Sequence, residues 1–288
     1  MFSTGHLLWI GISFCLIVGG VAACFRIKPD ENRLVKVCLG LGILSETVKV
    51  LSVMRILPMV DIAVDGAQLS YPYAGQYTPY LEMADLPLEL CSLQIVFMAA
   101  LLLSKTPLRR SRLRALMFVT GVIGGLMGIV MAQVTVDYHT VKQYFASPRI
   151  YQYFLYHSMV VALGLYLGLG PDSDVSLRRF KETMGLLLLM DVPTFYLNSV
   201  FSQPVYDAGK PVGIVYRTNF FSSYVNPLGL VLTQRWQWIA YLVLRLGLAA
   251  ALTALLLLLA DRTARRRNKK QLTKDHSRYD PGHARAGR

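Results

Sequence analysis

Seven stretches of this 288-residue chain are apolar over roughly 20 residues each, which is the length a helix needs to cross the hydrocarbon of a bilayer. Only a helix or a closed barrel satisfies its backbone N–H and C=O groups there without water, so this feature limits the fold more than any other. The spans read as residues 7–25, 34–54, 86–104, 115–134, 150–170, 183–201 and 236–260. The first and fourth carry no charge, and the fifth carries only His157. The third, sixth and seventh hold Glu89, Asp191 and Arg245. Lys36, Glu46 and Lys49 interrupt the second, but Lys36 can snorkel at its end and Glu46 can pair with Lys49 three residues on. The expected fold is all-α: a polytopic seven-helix transmembrane bundle over residues 1–261, then a basic tail, residues 262–288, expected to be disordered.

Charge sets the orientation. Only 16% of residues are charged while 54% are hydrophobic, a balance that excludes a disordered chain and argues against a soluble enzyme. The net charge of +13 is not spread evenly. Arg26 to Lys36, Lys105 to Arg114, Arg178 to Lys181 and the tail from Arg262 hold most of the Lys and Arg, and all four segments fall on one side of a seven-span chain. The positive-inside rule makes that side cytoplasmic, with the N-terminus outside, in a multi-pass plasma-membrane protein. Membrane lipids are the expected partners, with anionic inner-leaflet lipid at the tail. Nucleic acid is not, since no aromatic or folded module accompanies the charge. The two long outer connections, residues 56–85 and 202–235, are aromatic (Tyr71, Tyr73, Tyr77, Tyr80) and suit either an interfacial belt or a lid over an outward cavity.

Gly121, Gly124, Gly125 and Gly128 on the fourth span and Gly164 with Gly168 on the fifth permit close helix approach. The four cysteines, Cys15, Cys24, Cys38 and Cys91, fall in apolar spans, and no disulfide is expected. Val21-Ala22-Ala23-Cys24 resembles a lipoprotein cleavage box but lacks a basic leader before it, so the first span is expected to be retained. No metal cluster, phosphate loop, dinucleotide turn or serine elbow is present, and no cofactor is expected.

Titratable groups inside spans are costly and usually paired or functional. At ~1.5 Å per residue, Cys91 lies ~7 Å below the outer end of its span and His157 ~11 Å below its own. A thiol and an imidazole at matched depth can form the nucleophile and base of acyl transfer, the base taking the proton that keeps a buried thiol inert. Asp191 or Asn198 would orient the imidazole, while Glu89 points to another helix face. The blander reading makes the cysteines small hydrophobes and Glu46, Lys49, Asp191 and Arg245 an ion-pair network that fixes helix packing. Those same charges, lining a solute path, give the alternative of a non-catalytic receptor, channel or carrier.

Leu86-Pro87-Leu88-Glu89-Leu90-Cys91-Ser92 resembles the Leu-Pro-Leu-x-Leu-Cys-Ser signature of the YwaF family of bacterial integral membrane proteins. His157, after Tyr151-Gln152-Tyr153-Phe154, resembles that family's histidine, and Asn198, Lys210-Pro211 and Leu228-Gly229 resemble its outer segment. Asn198 is followed by Ser199 and Gly229 by Leu230, where the family has Tyr and Pro. That family is distantly similar to the transmembrane protein 164 acyltransferases. The resemblance implies a lipid acyltransferase or acyl hydrolase with Cys91 as acyl acceptor and His157 as its base.

Overall fold

A computed structural model describes residues 2–58, 62–64, 67–69, 75–135, 138–207, 210–215, 217–222 and 231–278. The helices are α1 (Thr4–Ile27), α2 (Glu31–Val53), α3 (Leu93–Leu103), α4 (Pro107–Val130), the short α5 (Val141–Ala146), α6 (Pro148–Leu169), α7 (Phe180–Val200) and α8 (Arg235–Arg278). A helix lies on each of the seven apolar stretches, and the protein is a largely helical membrane protein. By length and apolarity, α1, α4, α6 and the first part of α8 can each cross a bilayer, whereas α3 is shorter. Bulky apolar side chains such as Leu7, Val18, Leu189, Val243 and Leu244 point outward, a surface that suits lipid rather than water.

Several boundaries differ from the reading of the sequence. Residues 86–92 are not helical: a 3-10 turn (Met83–Asp85) leads into bends and a turn, and regular helix begins at Leu93. Pro87 explains this, because it disfavours the helical region for Leu86 and supplies no N–H of its own. The fourth helix begins at Pro107, eight residues before the apolar run, since proline suits the first helical turn and the arginines after it are good helix formers. The tail is not disordered along its described length. α8 continues to Arg278 because residues 261–278 contain no Gly or Pro and are rich in Arg and Lys, with Asp261 and Arg265 paired one turn apart at 2.9 Å.

The fold is not wholly α either. The connections between α2 and α3 and between α7 and α8 carry three antiparallel strand pairs: β1 (Arg55–Pro58) with β4 (Tyr77–Tyr80), β2 (Ile62–Val64) with β3 (Ala67–Leu69), and β5 (Gln203–Asp207) with β6 (Lys210–Val215). Tyr71, Tyr73, Leu228 and Gly229 lie outside the described residues.

Helix α6 is central, packed against α1, α2 and α4. Its closest partner is α4, and glycines set the approach. A Cβ on Gly121 would lie 3.1 Å from the Val160 carbonyl oxygen, one on Gly125 2.5 Å from Val161 Cγ2, and one on Gly168 2.3 Å from the Phe118 ring. At Gly125 and Gly168 a side chain would force its neighbour to move, so small residues legible in the sequence form the closest part of the contact. One core joins Trp9, Ile129, Tyr144 and Phe154, and a second joins Val35, Met98, Met117 and Leu163.

The basic segments gather at one end of the bundle. Glu31 bonds Arg110 and Arg114, Arg114 reaches Asp174 at 3.0 Å, and Glu182 bonds Arg112 and Arg179 at 3.1 Å each. Arg267 donates to the Leu169 and Gly170 carbonyls that end α6. Cations there satisfy helix-terminal acceptors and oppose the negative end of the helix dipole.

Candidate functional site

Cys91 sits in the turn just before α3, beside the helix start. Its depth therefore cannot be counted in helical rises, because the segment above it is irregular. The Cys91 carbonyl accepts from Tyr156 Oη at 2.7 Å and from the Gln94 backbone N–H at 3.2 Å, which ties the turn to α6 and to the first turn of α3. The residue is half-buried, and all four cysteines are free.

His157 lies on α6 and is only 4% exposed. Its Nδ1 faces the Tyr153 carbonyl at 2.7 Å. A carbonyl can only accept, so Nδ1 carries the hydrogen and Nε2 carries the lone pair of the neutral ring. This is the tautomer a general base needs. The Tyr153 ring lies 4.2 Å from the imidazole, centroid to centroid, and Tyr156 meets it edge-on at 5.8 Å. Tyr153 Oη in turn donates to the Gly128 carbonyl at 3.0 Å.

Two glycines one helical turn apart on α4 lie against the backbone of the Cys91 turn and against the His157 ring. A Cβ on Gly124 would lie 3.2 Å from Leu90 Cβ and 3.8 Å from the Cys91 backbone nitrogen. A Cβ on Gly128 would lie 2.3 Å from His157 Cδ2 and 2.5 Å from Nε2. Positions i and i+4 of a helix are about 6 Å apart, so the Cys91 turn and the imidazole edge rest on adjacent turns of one α4 surface. Above them, Arg149 donates to Gln152 and stands 5.8 Å over the Tyr153 ring, so Arg149, Tyr153 and His157 form an i, i+4, i+8 row on α6.

Asp191 and Asn198 do not orient the imidazole. The helix-depth reading placed them beside it, but side-chain direction decides partners and it sends both elsewhere. Asp191 Oδ2 pairs with Arg245 at 2.5 Å, and Arg245 also donates to the Phe221 carbonyl at 2.5 Å and lies 5.8 Å over the Phe195 ring. Asn198, fully buried, holds Phe220 from both sides, accepting from its N–H at 2.9 Å and donating to its carbonyl at 3.1 Å. The orienting acceptor for His157 is instead the Tyr153 backbone, one turn earlier on the same helix. Glu46 and Lys49 pair with each other, as their spacing indicates. Glu46, Lys49, Asp191 and Arg245 thus form two separate pairs.

The Asn198 clamp has a counterpart at Cys91. The Glu89 carboxyl faces the Phe221 backbone N–H as acceptor, so the turn Phe220–Ser222 is folded onto the Cys91 segment. Phe221 has φ 56° and ψ 20°, in the left-handed region that costs a bulky residue ~1–3 kcal/mol. Glu89, Asn198 and Arg245, from three different segments, together hold it there. Tyr153, Tyr156, Gly124 and Gly128 carry no functional signal in the sequence by themselves. The one available cue was periodicity: Tyr153 stands four residues before His157, and Gly124 four before Gly128.

Among the described residues no group of three or more His, Cys, Asp or Glu could hold a metal ion. No curated protein and no solved structure matches the chain. A model of the TMEM164 family matches residues 1–260, which takes in every element of this site, and the chain therefore belongs to the TMEM164 family.

Proposed function

We propose that this protein is a lipid-directed acyltransferase or acyl hydrolase that works through a thioester on Cys91, with His157 as base, in the outer half of a plasma membrane. The observation that carries the reading is the shared α4 surface: Gly124 seats the Cys91 turn and Gly128 the His157 ring, one turn apart. The backbone bond at Nδ1 leaves Nε2 as the basic nitrogen of that ring.

In the first step Nε2 takes the thiol proton and the sulfur attacks the carbonyl carbon of a lipid ester. The C–S bond forms, the ester C–O bond breaks, and the imidazolium returns the proton to the departing alkoxide. In the second step an acceptor hydroxyl, or water, attacks the thioester carbonyl. His157 takes its proton and delivers it to the leaving thiolate, which restores the free enzyme. An acceptor alcohol gives transfer and water gives hydrolysis.

The same reading takes seven spanning helices, an outer N-terminus and a cytoplasmic C-terminus. It is supported by the gathering of the basic segments at one bundle end around Glu31, Asp174 and Glu182. Basic α8 beyond Arg262 would then meet anionic inner-leaflet lipid. A carrier reading loses its motivation, because Glu46 with Lys49 and Asp191 with Arg245 neutralise one another rather than line a path.

The experiment is Cys91→Ala and His157→Ala in the producing cell, read by lipid profiling and by a fatty-acyl activity probe on the purified protein. Loss of probe labelling and a shifted lipid acyl profile in both variants is expected. An unchanged profile with labelling independent of Cys91 would remove the enzyme reading.

A further inference from the structure

Regular helix begins only at Leu93, so no helical ladder runs through Cys91 to fix its backbone. A carbonyl oxygen offers two lone pairs, and both of those on Cys91 are engaged. One accepts the Gln94 N–H at 3.2 Å and the other accepts Tyr156 Oη at 2.7 Å. Gln94 in turn donates from its side chain to Thr120 Oγ1 at 2.6 Å, which holds the start of α3 on α4. The Tyr156 bond adds α6, the helix that carries His157, to the same frame.

Tyr156 is buried, and its two kinds of contact separate cleanly. Its ring meets the His157 ring edge-on at 5.8 Å, and a Cβ on Gly42 of α2 would lie 3.6 Å from its Cε2. Phenylalanine would keep those contacts. The hydroxyl serves the Cys91 carbonyl, which would still accept from Gln94 if the hydroxyl were removed, so no buried acceptor is stranded and little stability is at stake. Placement is at stake instead. Tyr156 and His157 are consecutive on α6, one gripping the backbone of the nucleophile and the next carrying the base. We propose that Tyr156 is a positioning residue for acyl transfer, its hydroxyl holding the Cys91 turn in register with His157. This role rests on the reading of Cys91 and His157 as nucleophile and base. Reacting groups need support from neighbours that lock their geometry, and a hydrogen bond to the nucleophile's own backbone is such a lock.

The test compares Tyr156→Phe with Tyr166→Phe in the full chain in one detergent. Tyr166 donates to the Pro29 carbonyl at 3.3 Å from ~15 Å further along α6, so its variant loses the same kind of bond away from Cys91. Two rates are read at Cys91 by peptide mass spectrometry: acylation by the fatty-acyl probe, and alkylation by N-ethylmaleimide, which needs no enzyme chemistry. Tyr156→Phe is expected to lower the maximal acylation rate about 10- to 100-fold at an unchanged half-saturating probe concentration. It is expected to speed alkylation of Cys91 severalfold, because a released turn opens more often. Alkylation of Cys38, buried on α2, should stay as in the natural chain, which separates a freed turn from a loosened bundle. Tyr166→Phe should match the natural chain in every rate. Unchanged Cys91 alkylation in Tyr156→Phe, or a rise shared by Cys38, would overturn the anchoring. Faster Cys91 alkylation with an unchanged maximal acylation rate would overturn the positioning role. A natural chain alkylated but not acylated at Cys91 would instead remove the acyl-transfer reading, and this role with it.

Discussion

Gly128→Ala is the sharpest single perturbation of the proposed site. The added methyl would sit 2.3 Å from His157 Cδ2 and 2.5 Å from Nε2, against the ~3.5–4.0 Å of ordinary carbon contact. The ring must therefore retreat by more than ~1 Å. It is not free to do so, because Nδ1 is bonded to the Tyr153 carbonyl at 2.7 Å and Tyr153 and Tyr156 flank the ring. Overpacking of this kind costs ~1–3 kcal/mol, and a strained or broken hydrogen bond adds ~1 kcal/mol. Against this, alanine gains up to ~1 kcal/mol over glycine within a helix. Gly40→Ala on α2 isolates that gain, since a Cβ there would meet nothing within 4 Å. The measurement is thermal unfolding of both variants in one detergent, together with acyl-probe labelling. Gly128→Ala is expected to be about 2–4 kcal/mol less stable than Gly40→Ala. A ~1 Å displacement of a reacting group costs on the order of 100-fold in rate, so labelling should fall accordingly. If the two variants unfold alike and label alike, the packing argument for this site is wrong.

Three further outcomes test the surrounding structure. Asn198→Leu removes both bonds to Phe220 and is expected to cost about 2 kcal/mol in thermal unfolding and to raise proteolysis of the segment near Phe221. Asp191→Asn leaves the Arg245 charge without its carboxylate, with an expected loss of about 2 kcal/mol, below the ~3–5 of a fully buried pair because both side chains are about one-fifth exposed. Arg245→Met added to it should restore part of that loss, and simple additivity in the double-mutant cycle would deny the coupling. At the basic end, hydrogen bonds from Arg112 and then Arg179 hold the Glu182 carboxyl below the usual carboxylate range. A group depressed in the folded state contributes stability above its unfolded value, ~4.3, and loses that contribution as pH falls through the folded value. The stability of the natural chain against unfolding should therefore fall on acidification more steeply than that of Glu182→Gln, and parallel pH curves would refute the assignment.

How far the sequence could be read varies by the range of the interaction. The apolar stretches mark the helices because span length and backbone satisfaction are local demands, and Glu46 pairs with Lys49 because three residues on a helix bring them together. The glycine pairs Gly121/Gly125 and Gly164/Gly168 foretell a close contact, though not that α4 and α6 make it with each other. Helix counting failed at residues 86–92, where Pro87 had marked the break, and in the tail, where absent Gly and Pro had marked helix to Arg278. It also misassigned Asp191 and Asn198. Matched depth says which side chains share a level of the bilayer, but not which way each one faces.

The sequence alone determined a multi-span helical chain with its basic charge on alternate connections, because hydrophobic length and charge act through the solvent and need no partner. Tertiary structure alone decided that Gly128 seats His157, and that Asn198, Glu89 and Arg245 converge on Phe220 and Phe221. Those are contacts of a few ångströms between residues up to more than a hundred positions apart, and no local periodicity encodes them.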